Sequence, residues 1–377
     1  MANWWYISPL VPGAQGGQSA HVLASLRAIA ARRPLTLIAP GTPDLVMTPR
    51  THVLPLPVHA PREIVWQLRL ARTLVLAGSR PAIVYARAGA TSLGVVAAAR
   101  ALGATVVLEC NGLPHLERGA RPAARLLYSL LWQLDMRAAD GIVAVTPELA
   151  ALARRRGARA VHIAPNGADT TRVVPQDQRA ARAALGLDPA ARLVVFAGSL
   201  SAWQGIETLL AGVRLARRTD PRIQLVLAGD GPLAAQIAAR TTGDTGVVLA
   251  GRLPHTRALL LSAAADAVAV PLPANARNRA TGVAPLKVAE ALALGVPLLA
   301  SDLPGLRFIG TTGLGANFAA GDPHDLARVL GELLRQTPDA QQAMRQRARV
   351  YAVQHLDWQR ITDGIIAFAE GLARPPD

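Results

Sequence analysis

The residues best suited to chemistry lie in one short run, Thr281-Gly-Val-Ala-Pro-Leu-Lys287-Val-Ala-Glu290. Lys287 and Glu290 stand three apart, which on a helix puts an ammonium and a carboxylate on one face. Near a helix start such a lysine can meet an anion. An ordinary surface ion pair would use the same spacing, and composition separates the two readings. Of the 40 basic residues 39 are arginine, and Lys287 is the only lysine. A compact ammonium, kept where every other cationic position takes a guanidinium, suits a single phosphate oxygen in a tight space.

Four further loops carry polar or glycine-rich runs. Pro12-Gly-Ala-Gln-Gly16-Gly17-Gln-Ser19-Ala-His21 can form an anion cradle at a helix start or simply a tight turn. Its spacing is not that of a dinucleotide fingerprint. Phe196-Ala-Gly-Ser199-Leu-Ser201-Ala-Trp-Gln204-Gly205 offers Ser199 and Gln204 as hydrogen-bond donors to phosphate, with no positive charge of its own. Leu227-Ala-Gly229-Asp-Gly-Pro and Gly251-Arg252-Leu253 follow two successive apolar runs. Pro165-Asn-Gly-Ala-Asp169 reads as a turn. In open α/β sheets such loops gather at the carboxyl edge, where ligands bind.

The elements that must position these loops alternate strand with helix. Strands are predicted at Trp4–Ser8, Leu35–Ala39, Ile83–Ala86, Thr105–Glu109, Gly141–Val145 and Ala160–Ala164. The second half repeats the pattern at Leu193–Ala197, Gln224–Ala228, Val247–Ala250, Ala267–Val270 and Pro297–Ala300. Fully apolar strands between helices imply parallel sheets covered on both faces. Eleven strands suit two doubly wound units better than one sheet. Pro165–Pro189, with its prolines and polar residues, is the expected linker, and residues beyond 339 are expected to be closing helices.

Several classes are excluded or disfavoured. The net charge is +15 over 377 residues, but the arginines are dispersed rather than gathered on a face with aromatics, so no nucleic-acid partner is expected. A lone Cys110 excludes an intrachain disulfide and a cysteine metal site, and the eight histidines show no paired spacing, so no metal is expected. The first 26 residues carry no Lys or Arg, and no window holds 18 uninterrupted apolar residues. The expected location is cytoplasmic. Arg118, Arg121 and Arg125, followed by Leu126-Leu-Tyr-Ser-Leu-Leu-Trp132, read either as a core helix with a solvated end or as a segment resting on a bilayer. The second reading would make the protein peripheral at the inner face of the membrane.

Taken together, these pieces resemble a family-4 (group 1) glycosyltransferase of the GT-B fold, in the subgroup with an SPLKxxE-like donor motif. The resemblance is carried by the Gly-Gly loop, Pro165-Asn-Gly-Ala-Asp169, the Gly229-Asp-Gly-Pro turn, Ala264-Ala-Asp-Ala-Val-Ala-Val-Pro271, Pro285-Leu-Lys-Val-Ala-Glu290 and Gly295-Val-Pro-Leu-Leu-Ala-Ser-Asp302. It implies an α/β protein of two doubly wound Rossmann-like domains: 1–170 binding the acceptor, 171–350 binding the nucleotide sugar, and 351–377 a helix packing back on the first. It implies a retaining transfer from a nucleotide diphosphate sugar, without metal or other cofactor, to a saccharide, lipid-linked or small-molecule acceptor.

Site residues follow position by position. Glu290 falls where the family holds the donor ribose, Arg252 and Leu253 where the base is met, and Gly16 and Gly17 where backbone amides approach phosphate or acceptor. Gly229, Val283, Ala284, Pro285 and Leu286 join the donor contacts. Three departures matter. Gly282 replaces a glutamate that touches the donor sugar. Ser199 and Gln204 replace two cations, so Lys287, with Arg279 or Arg277, is expected to supply the missing charge. Asn111 stands at the usual histidine, which leaves His115 as its substitute and Glu109 as a candidate acceptor-orienting group. Two rivals stay open: a sugar-nucleotide epimerase on the same fold, and a non-catalytic paralogue that binds a partner.

Overall fold

The computed structural model describes residues 3–10, 17–40, 51–56, 72, 80–89, 91–113, 116 and 122–373. The chain divides into two compact units. The first comprises residues 1–166, 280–282 and 358–377, and the second 167–279 and 283–357.

In the first unit seven described strands form one sheet: β1 (Trp4–Ile7), β2 (Leu35–Pro40), β3 (Thr51–Leu56), β4 (Ile83–Arg87), β5 (Thr105–Cys110), β6 (Gly141–Ala144) and β7 (Val161–Ile163). Their order is β3-β2-β1-β4-β5-β6-β7, and every pairing is parallel. β1, β4, β5 and β6 are buried along their whole length, as expected of strands covered on both faces. The helix Trp358–Leu372 closes this sheet. Phe368 and Leu372 lie over Gly141, where an added Cβ would come 2.4 Å from Leu372 Cδ1, and His162 stacks on Phe368.

The second unit holds β8 (Arg192–Ala197), β9 (Ile223–Ala228), β10 (Val247–Gly251), β11 (Ala267–Val270), β12 (Leu298–Ser301) and β13 (Gly315–Phe318). Their order, β10-β9-β8-β11-β12-β13, is again parallel and repeats the winding of the first sheet. Alternation along β8 splits the core in two. Leu193 and Val195 join a layer with Val288 and Leu292, while Val194 and Phe196 join one with Ile206 and Leu209. In both sheets the winding reverses beside the first strand, between β1 and β4 and between β8 and β11. Loops leaving the carboxyl ends there flank a crevice suited to ligands.

All eleven predicted strands are present, with ends shifted by a residue or so. Two strands escaped prediction. β3 contains Pro55 at the sheet edge, the one place a missing N–H is tolerated. β13 is only Gly-Ala-Asn-Phe and is also an edge. Within the expected linker the helix Gln178–Leu185 belongs to the second unit. Buried Arg182 donates to the carbonyls of Ala264, Pro189 and Ala191 and pairs with Asp266 at 2.8 Å.

Candidate active site

In the second unit the candidate residues converge on the loop after β8. Lys287 sits in the first turn of the helix Leu286–Ala293, which begins after the extended Pro285. Its Nζ donates to Gln204 Oε1 at 3.1 Å and lies 3.8 Å from the centre of the Phe196 ring. Gly198 leaves space for it, since a Cβ there would come within 2.8 Å of Nζ. Removal from water pushes the ammonium down to about 7, and the charge of Glu290 opposes that shift only in part. Gln204, which stands where a cation was expected, therefore holds the lysine that replaces it. It is buried at the end of the short turn Ala202–Gln204.

The neighbouring loops fit closely. Gly229 packs its Cα on the Gly198 carbonyl, where a Cβ would lie 1.8 Å from the oxygen, so these two loops approach only because Gly229 lacks a side chain. Ser199 Oγ and Ser201 Oγ are 2.6 Å apart, one hydroxyl donating to the other. Arg252 is exposed, with Asp230 3.9 Å away, while Leu253 is half-buried against the core. Val283 donates its N–H to Pro304. Arg279 is exposed and donates Nε to the Ala274 carbonyl at 3.0 Å. Gly282 has φ of +64°, a conformation that a glutamate would adopt only under strain.

Glu290 has a partner the sequence did not reveal. His255 Nε2 lies 2.8 Å from Glu290 Oε1, and this bond raises the imidazole's affinity for its proton against the opposing effect of burial. His255 opens the helix His255–Ala263, three residues after Arg252, so the strand-end loop that carries Arg252 and Leu253 also supplies a grip on Glu290.

The first unit holds a second ionic cluster, at the carboxyl ends of β4 and β5. Glu109 is buried on β5. Its Oε1 meets His21 Nε2 at 2.8 Å, Arg87 Nη1 at 3.1 Å and Asn111 Nδ2 at 2.6 Å, and its Oε2 accepts from Tyr85 Oη at 2.9 Å. Burial would raise this carboxyl, but His21, Arg87 and Asn111 outweigh it and hold it well below the usual carboxylate range. The Tyr85 and Tyr6 phenols move the other way, raised by burial and by the Glu109 charge. Asn111, read as the stand-in for a histidine, is thus a ligand of Glu109. Gly17 begins the helix Gly17–Ala30, which carries His21. Gly16 and His115 lie outside the described residues.

Sequence reasoning gave no role to His21, which closes the Pro12–His21 motif, and singled out none of Tyr85, Arg87 and His255. One signal was available for Arg87: it directly follows a predicted strand, Glu109 ends the next one, and the two are direct register partners across β4 and β5. Among the described residues no three His, Cys, Asp or Glu side chains come together as a metal site, and no helix is long and apolar enough to cross a membrane.

Comparison with known proteins bears on both units. The family model described as glycosyl transferases group 1 matches residues 191–336, and glycosyltransferase family 4 matches residues 15–172. The D-inositol 3-phosphate glycosyltransferase of Mycolicibacterium gilvum is 36% identical over 185 residues, 46% of this chain and 38% of that protein. Its counterpart from Nocardia farcinica is 32% identical over 217 residues, 55% of this chain and 46% of that protein. The chain thus matches less than half the length of either relative. Among solved structures, sucrose-phosphate synthase from Thermosynechococcus elongatus superposes with a TM-score of 0.78 at 19% identity, covering 98% of this chain and 99% of that one. Anabaena HepE in complex with UDP gives 0.75 at 19% identity, covering 98% and 100%. At that identity the likeness shows the fold. With one family matched on each sheet, in chain order, and the GT-B winding present in both, the chain belongs to the group 1, family-4 glycosyltransferases.

Proposed function

We propose that this protein is an enzyme that transfers a sugar, with retention of anomeric configuration, from a nucleotide diphosphate sugar bound on the second unit to an acceptor bound on the first. The observation that carries the reading is the placement of the chain's only lysine. Its ammonium stands against the loop after β8, at the carboxyl edge beside the point where the sheet's winding reverses.

The chemistry follows from that placement. As the glycosidic bond to the diphosphate breaks, negative charge grows on the leaving oxygens. An ammonium already stripped of water stabilises that charge more than a solvated one, and the positive end of the helix Leu286–Ala293 adds to it. Glu290, one turn further along, accepts from the ribose hydroxyls, steadied by His255. Arg252 and Leu253 flank the base. In the first unit Glu109 acts as a positioning residue that fixes Asn111 and Arg87 at the strand ends facing the acceptor. No metal or further cofactor enters the scheme.

UDP-glucose is the first donor to try, because HepE is seen with UDP and with UDP-glucose. The full chain is titrated calorimetrically with UDP and other nucleoside diphosphates, then incubated with the matching nucleotide sugars and a panel of acceptors that includes inositol phosphates. Acceptor-dependent release of nucleoside diphosphate, with a product of unchanged anomeric configuration by NMR, supports the reading. Release without acceptor supports the epimerase, and no binding of any nucleotide supports the non-catalytic paralogue.

A further inference from the structure

The helix Pro122–Ala138 turns a leucine face outward. Its inner side is set by Trp132, Met136 and Asp135, all fully buried. Leu126, Leu130 and Leu134 follow one another at intervals of four, and Leu127 joins the row with Leu130 at its i+3 and Leu134 at its i+7. These four are exposed by 64% (Leu126), 55% (Leu127), 52% (Leu130) and 47% (Leu134), so no other described part of the chain covers them. Single exposed leucines need no explanation, but four in one row on one helix do.

The surroundings say what suits this row. Residues 122–159 carry six arginines, of which Arg125, Arg137, Arg154, Arg155 and Arg159 are exposed. Arg156 Nη1 donates to Ser129 Oγ at 3.1 Å, which ties the cationic end of the helix Pro147–Arg155 to the leucine-bearing helix. Arg137 packs its stem beside Gly157 at the same end. The three acids of this stretch all face inward. Asp135 is buried and accepts the Ser92 N–H, Asp140 is tied to Val106 N–H and Arg100, and Glu148 is half-buried. An apolar strip rimmed by uncompensated arginines is complementary to a bilayer surface bearing anionic headgroups, where leucines enter the acyl boundary and guanidiniums meet phosphates. A second copy of this chain would instead bring the same arginines against themselves.

We infer that the outer face of the helix Pro122–Ala138, with the arginines at its flank, is a docking surface for an anionic lipid bilayer. The helix is roughly 25 Å long at 1.5 Å per residue, enough to lie flat in the interface. This goes beyond the sugar-transfer reading and stands or falls independently of it.

The test is flotation of the full chain with vesicles of phosphatidylcholine alone or mixed with phosphatidylglycerol. The expected result is flotation with the mixed vesicles only, abolished at about 1 M salt, where charges are screened within ~3 Å. The triple variant Leu126→Gln, Leu130→Gln, Leu134→Gln should bind the mixed vesicles roughly tenfold more weakly or less, given the apolar area lost. The pair Arg154→Gln, Arg155→Gln should bind more weakly and depend less on salt. Leu130→Gln alone, a single exposed change, gives a smaller loss and keeps the test valid should the triple variant misfold. Wild-type protein that ignores phosphatidylglycerol vesicles, or leucine variants that float as well as wild type, would overturn the inference. So would a wild-type dimer in light scattering that the leucine variants dissolve, since that assigns the face to self-association.

Discussion

The two units use the same ingredients, a buried charge and a histidine, in opposite ways. Glu109 accepts from His21, Tyr85, Arg87 and Asn111, so four donors surround one carboxylate and burial is compensated from every side. Lys287 has one hydrogen-bond acceptor, Gln204, and an aromatic face, so most of its donor capacity is unused and its charge is only weakly compensated. A saturated cluster resists change and organises what surrounds it. An unsaturated one stores the capacity to meet a charged ligand. The difference lies in the number of partners rather than in the residue types.

The largest effect should come from emptying the saturated cluster. Glu109→Gln leaves Arg87 buried without a counter-charge and should cost about 3–5 kcal/mol of stability, read as a fall in the urea midpoint. Because Glu109 is depressed in the folded state, its contribution is complete above the ordinary value of 4.5 and is lost as pH falls below it. The wild-type midpoint should therefore drop in acid by more than that of the variant. Equal acid sensitivity in the two proteins would show that the cluster does not hold the charge.

Lys287→Ala should do the reverse, sparing the fold and lowering donor turnover by about 100- to 1000-fold. Unchanged kcat and KM would remove lysine from the scheme. The pH dependence sharpens the contrast. With the ammonium poised at about 7, affinity for a nucleoside diphosphate should decline as pH rises through that value. Above it the fold itself should gain stability up to the ordinary lysine value of 10.5, because the unfolded chain holds the proton more firmly.

Gln204→Glu makes the open site resemble the closed one, by giving Lys287 a carboxylate partner. The alkaline decline in diphosphate affinity should move up by about 1–3 pH units, while affinity at the plateau falls because the added negative charge opposes the ligand. A calorimetric titration across pH reads both. The smallest effect is expected of His255→Ala. The bond to Glu290 favours the charged imidazole, so its contribution is present below the ordinary histidine value of 6.5 and fades as pH rises through the raised one. A few-fold rise in donor KM at low pH, vanishing at high pH, is the outcome that places His255 behind Glu290.

The same contrast explains what was legible in the sequence. Strands announced themselves because burial on both faces demands unbroken apolar runs, and the exceptions were the sheet edges at β3 and β13, where that demand lapses. Lys287 and Glu290 stood out because they are near in sequence and compositionally odd. Of the Glu109 cluster only Glu109 and Asn111, two apart in sequence, stood out, since residues 21, 85 and 87 join them only through sheet pairing and the packing of one helix. Tyr85 and Arg87 share a face of β4 at a spacing of two, and Arg87 is opposite Glu109 only in the register the fold selects. His255 was hidden for the same reason, its contact with Glu290 spanning 35 residues.

The helix Trp358–Leu372 belongs to the first unit although the second is encoded before it. During synthesis Gly141 therefore stays uncovered and His162 unstacked until residues 358–372 have left the ribosome. Its Arg33–Glu370 and Arg32–Asp363 pairs cannot close before then. The second unit, apart from a three-residue excursion, is contiguous and free to fold first. A stop near residue 357 would keep every strand of the second unit and leave the first sheet without its closing helix, so the first unit is completed only after the second has been synthesised.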